Sequence, residues 1–328
     1  MHDVITFGSA TRDMFLFSEN YISLKDRKFP SGEGLCVSAG SKIYLEDVLF
    51  ASGGGGTNAA ATFAKQGLKT AYVGKVGSDP GGRDLLEELE GLGVATHFVK
   101  KDQKDKTAYS VILSKPGVER TILVYRGACH NLKKTEIPWH ELKAEWFYLS
   151  PFSGESSFLF SEVLDFAAKN GILTAVNPGD SQLAMGKKAL IKILEKVSVL
   201  TLNQEEGAKV TGLDFQKDEK ILKTLKLWVK NGKVILSKGP AGILAADDKY
   251  IYKAGIPRSG IVDRTGAGDA FGSGLVSSLI KGDSFEEAIQ YGTANATACL
   301  QEVGAKNGLL KNGQWGSWDK VQVMRYKI

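Results

Sequence analysis

The chain has 328 residues, 43% of them apolar and 24% charged, with a net charge of +5, the balance of a globular protein that buries a large core without disulfide or metal staples. Its three cysteines, Cys36, Cys129 and Cys299, are scattered and odd in number, which argues against a disulfide framework or a structural zinc and makes the cytoplasm the expected location. There is no basic-then-apolar leader, no apolar run near the ~18 residues of a membrane span, and no continuous basic stripe, because Lys100-Lys101-Asp102-Gln103-Lys104-Asp105-Lys106 mixes its signs; neither a membrane nor a nucleic acid is an expected partner.

The first predicted strand spans residues 4–7 and runs into Gly8-Ser9-Ala10-Thr11-Arg12-Asp13. Residues 14–50 hold short β-like runs and two turn signals, Pro30-Ser31-Gly32 and Ala39-Gly40-Ser41, but no helical pattern. A glycine loop at 53–56 then feeds a helix over 57–66, which Gly67 closes. A strand is predicted over 70–76, then a helix over 80–90 with Leu85, Leu86, Leu89 and Leu92 on one face. Residues 107–125 read as a β-hairpin about a Lys-Pro-Gly turn. Strands over 146–149, 172–176, 197–202 and 234–237 alternate with helical patterns, among them Ile221, Leu225 and Trp228 at helical spacing. Such alternation predicts an α/β fold: a mainly parallel sheet with helices on both faces. The segments 14–50 and 107–125 break that rhythm, so they are expected to form a small separate β-sheet, a lid on a single domain of residues 1–328.

The strongest chemical signal is Asp263-Arg264-Thr265-Gly266-Ala267-Gly268-Asp269-Ala270-Phe271-Gly272-Ser273-Gly274. Phe271, Leu275 and Leu279 recur at helical spacing behind it, and Gly282 ends the run, so the motif is a loop opening an amphipathic helix. Free N–H groups at such a start bind anions, and Gly266, Ala267 and Gly268 would supply them. A dinucleotide fingerprint has a similar glycine pattern, but it follows the first strand of its unit, and a carboxylate inside it would repel a pyrophosphate. Asp269 makes sense in an anion site where a phosphoryl group is in flight and a base takes the proton of the attacking hydroxyl. No Gly-x-x-x-x-Gly-Lys-Ser/Thr loop occurs. Gly54 and Asn58 suit a polyhydroxylated ligand, Asp13 can bridge two of its hydroxyls, and Asn203-Gln204-Glu205-Glu206 at a strand end suits a hydrated magnesium ion.

Together these motifs resemble the ribokinase (PfkB carbohydrate kinase) family. Residues 53–82, through Thr70-Ala71-Tyr72-Val73-Gly74-Lys75-Val76-Gly77-Ser78-Asp79, are similar to its first signature, and 263–274 to its second. Asn203 and Glu206 match its Asn-x-x-Glu magnesium motif, and Gly8, Ser9 and Asp13 its N-terminal substrate motif. Ser237-Lys238-Gly239-Pro240-Ala241-Gly242 resembles its nucleotide-side turn. The resemblance implies a three-layer α/β/α sandwich with a β lid, and the exposed face or edge of that lid is a candidate surface for a homodimer. It implies Mg·ATP as donor and a primary hydroxyl of a sugar, or alternatively of a nucleoside, as acceptor. Asp269 would be the base; Gly266, Ala267 and Gly268 the anion hole; Asp13, Gly54 and Asn58 the acceptor's grip. Asn203, Ser237, Gly239 and Gly242 would meet the nucleotide, Glu206 and Asn203 the magnesium through water, and Asp263 a monovalent cation such as potassium. A second phosphate on the acceptor would need cations, for which Arg126 is one candidate. Arg264 departs from the family's usual Thr or Ser, and the stretch from Asp13 to Gly53 is longer than in ribokinase itself.

Overall fold

The computed structural model describes residues 1–29 and 32–328; Pro30 and Ser31 of the first turn signal lie outside the described residues. In chain order the elements are β1 (His2–Phe7), β2 (Thr11–Phe17), β3 (Ile22–Lys25), β4 (Glu33–Cys36), β5 (Asp47–Gly53), α1 (Gly55–Lys65), β6 (Thr70–Val73), β7 (Lys75–Gly77) and α2 (Pro80–Gly91). Then come β8 (Lys100–Asp102), β9 (Ala108–Ser114), β10 (Thr121–Tyr125), β11 (Ala144–Leu149), α3 (Leu159–Lys169), β12 (Leu173–Val176), α4 (Asp180–Leu183) and α5 (Lys187–Leu194). The last third holds β13 (Val199–Asn203), α6 (Gln204–Thr211), α7 (Asp218–Trp228), β14 (Lys233–Ser237), β15 (Ile243–Ala246), β16 (Tyr250–Ala254), α8 (Ala267–Ile280), α9 (Phe285–Cys299) and β17 (Val323–Lys327).

The main sheet has nine strands in the order β17-β16-β15-β14-β13-β12-β11-β1-β6. From β6 to β14 the neighbours are parallel; β15, β16 and β17 add an antiparallel edge. Strands buried on both faces read as continuous apolar runs, and their alternate side chains enter two different cores. Ile5, Phe7, Phe147, Leu149, Leu200 and Leu202 face α3, α5 and α7. Val4, Tyr148, Val199 and Ile235 face α1, α8 and α9. This is the α/β/α sandwich expected from the alternating pattern.

A second sheet stands apart, in the order β10-β9-β2-β5. Here β2 runs antiparallel to β5 and parallel to β9, so the two irregular segments meet in one sheet. Its strands reach from Thr11 to Gly53, wider than 14–50, and β3 with β4 forms its own hairpin. The strand expected over 70–76 is broken at Gly74, where a Cβ would lie 1.9 Å from the Tyr72 hydroxyl oxygen. Its second half pairs with β8 instead. There Lys75, almost fully buried, is held by Asp102 at 2.8 Å and Glu136 at 3.0 Å. Asp79 caps α2 through the Gly82 N–H and also accepts from the N–H and hydroxyl of Thr107. The first glycine signature therefore anchors the base of the β9–β10 hairpin.

Candidate active site

Three features converge where the parallel strands end and the small sheet begins: the 53–56 loop, the 263–269 loop and strand β2. Gly53 and Gly55 cannot carry side chains. A Cβ on Gly53 would lie 2.1 Å from the Asp13 carboxylate, and one on Gly55 would lie 2.8 Å from Ser150 and 3.2 Å from the Asp269 carboxylate. Asp13 and Asp269 thus flank one glycine loop. Asp13 lies within β2 of the small sheet, not in the loop after the first strand where its sequence position suggested. It is buried, which raises its carboxyl to about 6 against the pull of the Ser110 hydroxyl and the Lys306 ammonium.

Asp269 occupies the first turn of α8. Asn58, buried in the first turns of α1, donates its amide Nδ2 to Asp269 Oδ2 at 2.9 Å. Burial pushes the Asp269 carboxyl up; the Asn58 bond and the Lys306 charge pull it back. The amide oxygen of Asn58, Oδ1, is buried without a hydrogen-bond partner among the described residues. An orphaned acceptor costs stability unless something else donates to it, so this atom is poised for a ligand hydroxyl.

Gly266 starts α8 in the left-handed conformation, φ 76°, and no side chain caps the helix. Among the described residues the N–H groups of Gly266 and Gly268 have no backbone acceptor, and that of Ala267 makes only a long 3.5 Å contact with the Arg264 carbonyl. The space where a Gly268 side chain would stand is open. The result is a set of unpaired donors at the positive end of a helix. Beside them lies a cavity of about 320 Å³ whose wall includes Ser237, Gly239, Gly242, Gly268 and the apolar Ile243 and Phe271. Arg264 borders this cavity on one side and, on the other, a cleft of about 550 Å³ beneath the small sheet. Asn203 is not part of the cavity wall.

Asn203 and Glu206 cap α6 reciprocally: Glu206 N–H donates to Asn203 Oδ1 at 2.8 Å, and Asn203 N–H to Glu206 Oε2 at 2.9 Å. The second carboxylate oxygen of Glu206 makes no hydrogen bond or ion pair among the described residues, which fits the outer water shell of a metal. Arg126 is exposed, and its side chain has no hydrogen bond or ion pair among the described residues.

Asp263 is the departure from expectation. Its Oδ1 accepts from the Arg120 guanidinium, from the Thr265 N–H at 3.0 Å and from the Thr265 hydroxyl at 2.8 Å, while Oδ2 accepts from the Gly304 N–H at 3.0 Å. A carboxylate offers about four lone-pair positions. Oδ1 is saturated by its three donors while Oδ2 keeps one position, but the Arg120 guanidinium already compensates the charge, so a monovalent cation does not fit on this side chain without displacing Arg120.

Sequence reasoning also missed Lys306. Its ammonium is buried, donates to Ser52 and lies 3.7 Å from Glu88. Burial lowers it to about 8, while Glu88 and Asp13 hold it up. Only its place after Gly304-Ala305 could have flagged it. Ala305 is wedged against Gly266, which brings that segment onto the anion loop.

The architecture is that of the ribokinase-like fold class. A solved structure of Arabidopsis thaliana ribokinase complexed with ribose and ATP superposes with a TM-score of 0.77 at 22% identity, covering 94% of this chain and 96% of that one. Residues 1–312 match the pfkB family carbohydrate kinase, and the chain belongs to that family. A ribokinase from Arabidopsis thaliana is 25% identical over 316 residues, covering 92% of this chain and 77% of the relative. Adenosine kinase 2 of the same plant is 26% identical over 309 residues, covering 87% and 86%.

Proposed function

We propose that the protein is an ATP-dependent kinase that phosphorylates a primary hydroxyl of a small sugar. The observation that carries this reading is the Asn58–Asp269 pair: a carboxylate and an amide whose oxygen is orphaned meet at the start of α8, next to its unpaired N–H donors. Asp13 and Asn58 Oδ1 take the acceptor's hydroxyls, and the backbone at Gly54 lets the ring approach. The adenine lies in the apolar cavity by Ser237, Gly239 and Gly242, which points the phosphates at Gly266, Ala267 and Gly268. Magnesium, when bound, neutralises charge on those phosphates, and Glu206 with Asn203 orients its water shell. Asp269 takes the proton of the attacking hydroxyl while the α8 donors hold the charge on the transferred group.

A nucleoside acceptor is the second reading, favoured by the likeness to adenosine kinase 2 and by the apolar Phe15, Phe17 and Ile112 of the cleft under the small sheet, where a base would stack. That sheet serves as a lid in either case. Its edge strand β10 exposes Ile122, Leu123, Val124 and Tyr125, an apolar row that suits a second copy of the chain. Donor and free thiols alike suit the cytoplasm. A coupled ADP-release screen over pentoses, hexoses, their phosphates and nucleosides tests the proposal. ADP release stimulated by none of them would sink it, and release with nucleosides alone would transfer it to the second reading.

A further inference from the structure

The small sheet is tied to the 263–268 loop by a charged contact. Arg120 lies just before β10, at the tip of the β9–β10 hairpin. Its guanidinium meets Asp263, and the same Nη1 donates to the Thr265 hydroxyl at 2.8 Å. Thr265 in turn gives both its N–H and its hydroxyl hydrogen to Asp263. The Asp263 side chain is 7% exposed and that of Arg120 24%, so the pair is largely out of water. The Gly304 N–H completes the ring from the far side, and Ala305 packs on Gly266. A buried carboxylate with three neutral donors still carries a full charge, and the guanidinium is its only cation among the described residues. Removing one partner of such a pair leaves the other charge uncompensated, and the loop that carries it relaxes.

Two residues separate Thr265 from the unpaired donor of Gly268, so the contact that fixes Thr265 also sets the aim of the anion hole. The cation is delivered by the β9–β10 hairpin of the small sheet rather than by the loop's own neighbours. We infer that Arg120 is a positioning residue for phosphoryl transfer: it supplies in cis the positive charge that holds the 263–268 loop in its anion-binding form, links that form to seating of the small sheet, and takes the place that a monovalent cation would need on Asp263. The inference rests on the kinase reading, but its structural half stands without it.

The test uses the full chain with Mg·ATP and the acceptor chosen by the ADP-release screen. Turnover of the unaltered enzyme is compared in potassium, sodium and tetramethylammonium chlorides at equal ionic strength, and no potassium stimulation is expected. Arg120→Ala should lower kcat by up to about 10²-fold, the scale of a misplaced catalytic group, with a smaller change in acceptor KM. Free guanidinium should restore part of that loss. Arg120→Lys should fall between the two, since it keeps the charge but not the planar fork. Hydrogen exchange supplies a readout independent of activity: amides of residues 263–268 should exchange faster in Arg120→Ala than in the unaltered chain. If Arg120→Ala does not fold, Arg120→Gln is compared with Arg120→Lys by the same two measurements. Strong potassium activation of the unaltered enzyme, or an Arg120 variant with full kcat and unchanged exchange, overturns the inference. An unaltered chain that neither binds ATP nor releases ADP strikes the kinase reading instead, and the exchange comparison still decides the role of Arg120.

Discussion

Asn58 and Asp269 are 211 positions apart in sequence and 2.9 Å apart in space. The bond joins the first turns of α1 and α8, so two helices that each open on a glycine loop share one polar contact. The amide donates to the ionised carboxylate and so lowers its pKa, against the upward push of burial. Asn58→Ala should therefore shift the acid limb of the kcat–pH profile to higher pH, because the base then ionises less readily. It should also raise acceptor KM, since Oδ1 is lost with Nδ2. A rate profile taken from pH 5 to 9 on both enzymes checks the shift; identical acid limbs would detach Asn58 from the base.

Asp13 gives a paired result on binding and stability. Its carboxyl stands at about 6 in the folded chain against an ordinary 3.8. A group that binds its proton more tightly when folded costs stability as pH rises through that window, and the full cost persists at neutral pH. At about 1.4 kcal/mol per unit, the cost is roughly 2–3 kcal/mol. Asp13→Asn should therefore melt at a higher temperature near pH 7.5, with the gain vanishing below pH 4. The same change should weaken acceptor binding far more than ATP binding. In the unaltered enzyme, acceptor KM should climb as pH falls through about 6. An unchanged KM in Asp13→Asn would remove the residue from the pocket.

What could be read beforehand follows from how local each signal is. The glycines at 53–56 and Gly266 announce themselves because close neighbours leave no room for a Cβ there, and both loops open helices. The pairing of Asp13 with the small sheet was hidden. Only Gly8, Ser9 and Ala10 separate β1 from β2, and nothing in those residues says that the chain changes sheets. The strand over 70–76 was misjudged for a related reason: one apolar run serves two sheets, divided by a tyrosine hydroxyl packed on Gly74. Arg120 was illegible. It stands just past a turn, 143 positions from Asp263, with no glycine or periodic pattern to mark it.

Glu206 tests the magnesium assignment. One of its oxygens caps α6 through the Asn203 N–H, and the other is unpartnered among the described residues. Burial, Asp180 and Glu205 all raise its carboxyl above the ordinary range. A metal ion nearby would reverse that shift. Glu206→Gln keeps the capping geometry, because the amide oxygen still accepts, but removes the charge that orients coordinated water. The Mg²⁺ concentration for half-maximal rate should rise and kcat should fall, while the melting temperature moves little. An unaltered Mg²⁺ dependence would mean that the motif only starts a helix.

The most exposed prediction concerns Asp269. Its carboxylate lies beside unpaired N–H groups that would otherwise welcome any anion, including the terminal phosphate of a nucleotide. A carboxylate in that position is a liability for binding and an asset only for proton removal. Asp269→Asn keeps the shape and can still accept the Asn58 amide through its oxygen, so the pocket should stay assembled. It cannot take up a proton at neutral pH. A positioned base contributes ~10²–10⁴-fold, so kcat should fall by at least that order. ATP affinity, measured by calorimetry on the same variant, should hold or tighten, because a negative charge next to the phosphate is gone. The two measurements separate the possibilities cleanly. Lost turnover with preserved ATP binding is the signature of a base. Near-normal turnover would mean that proton removal is not its task, and a large loss of ATP binding without loss of turnover would mean that the anion site lies elsewhere.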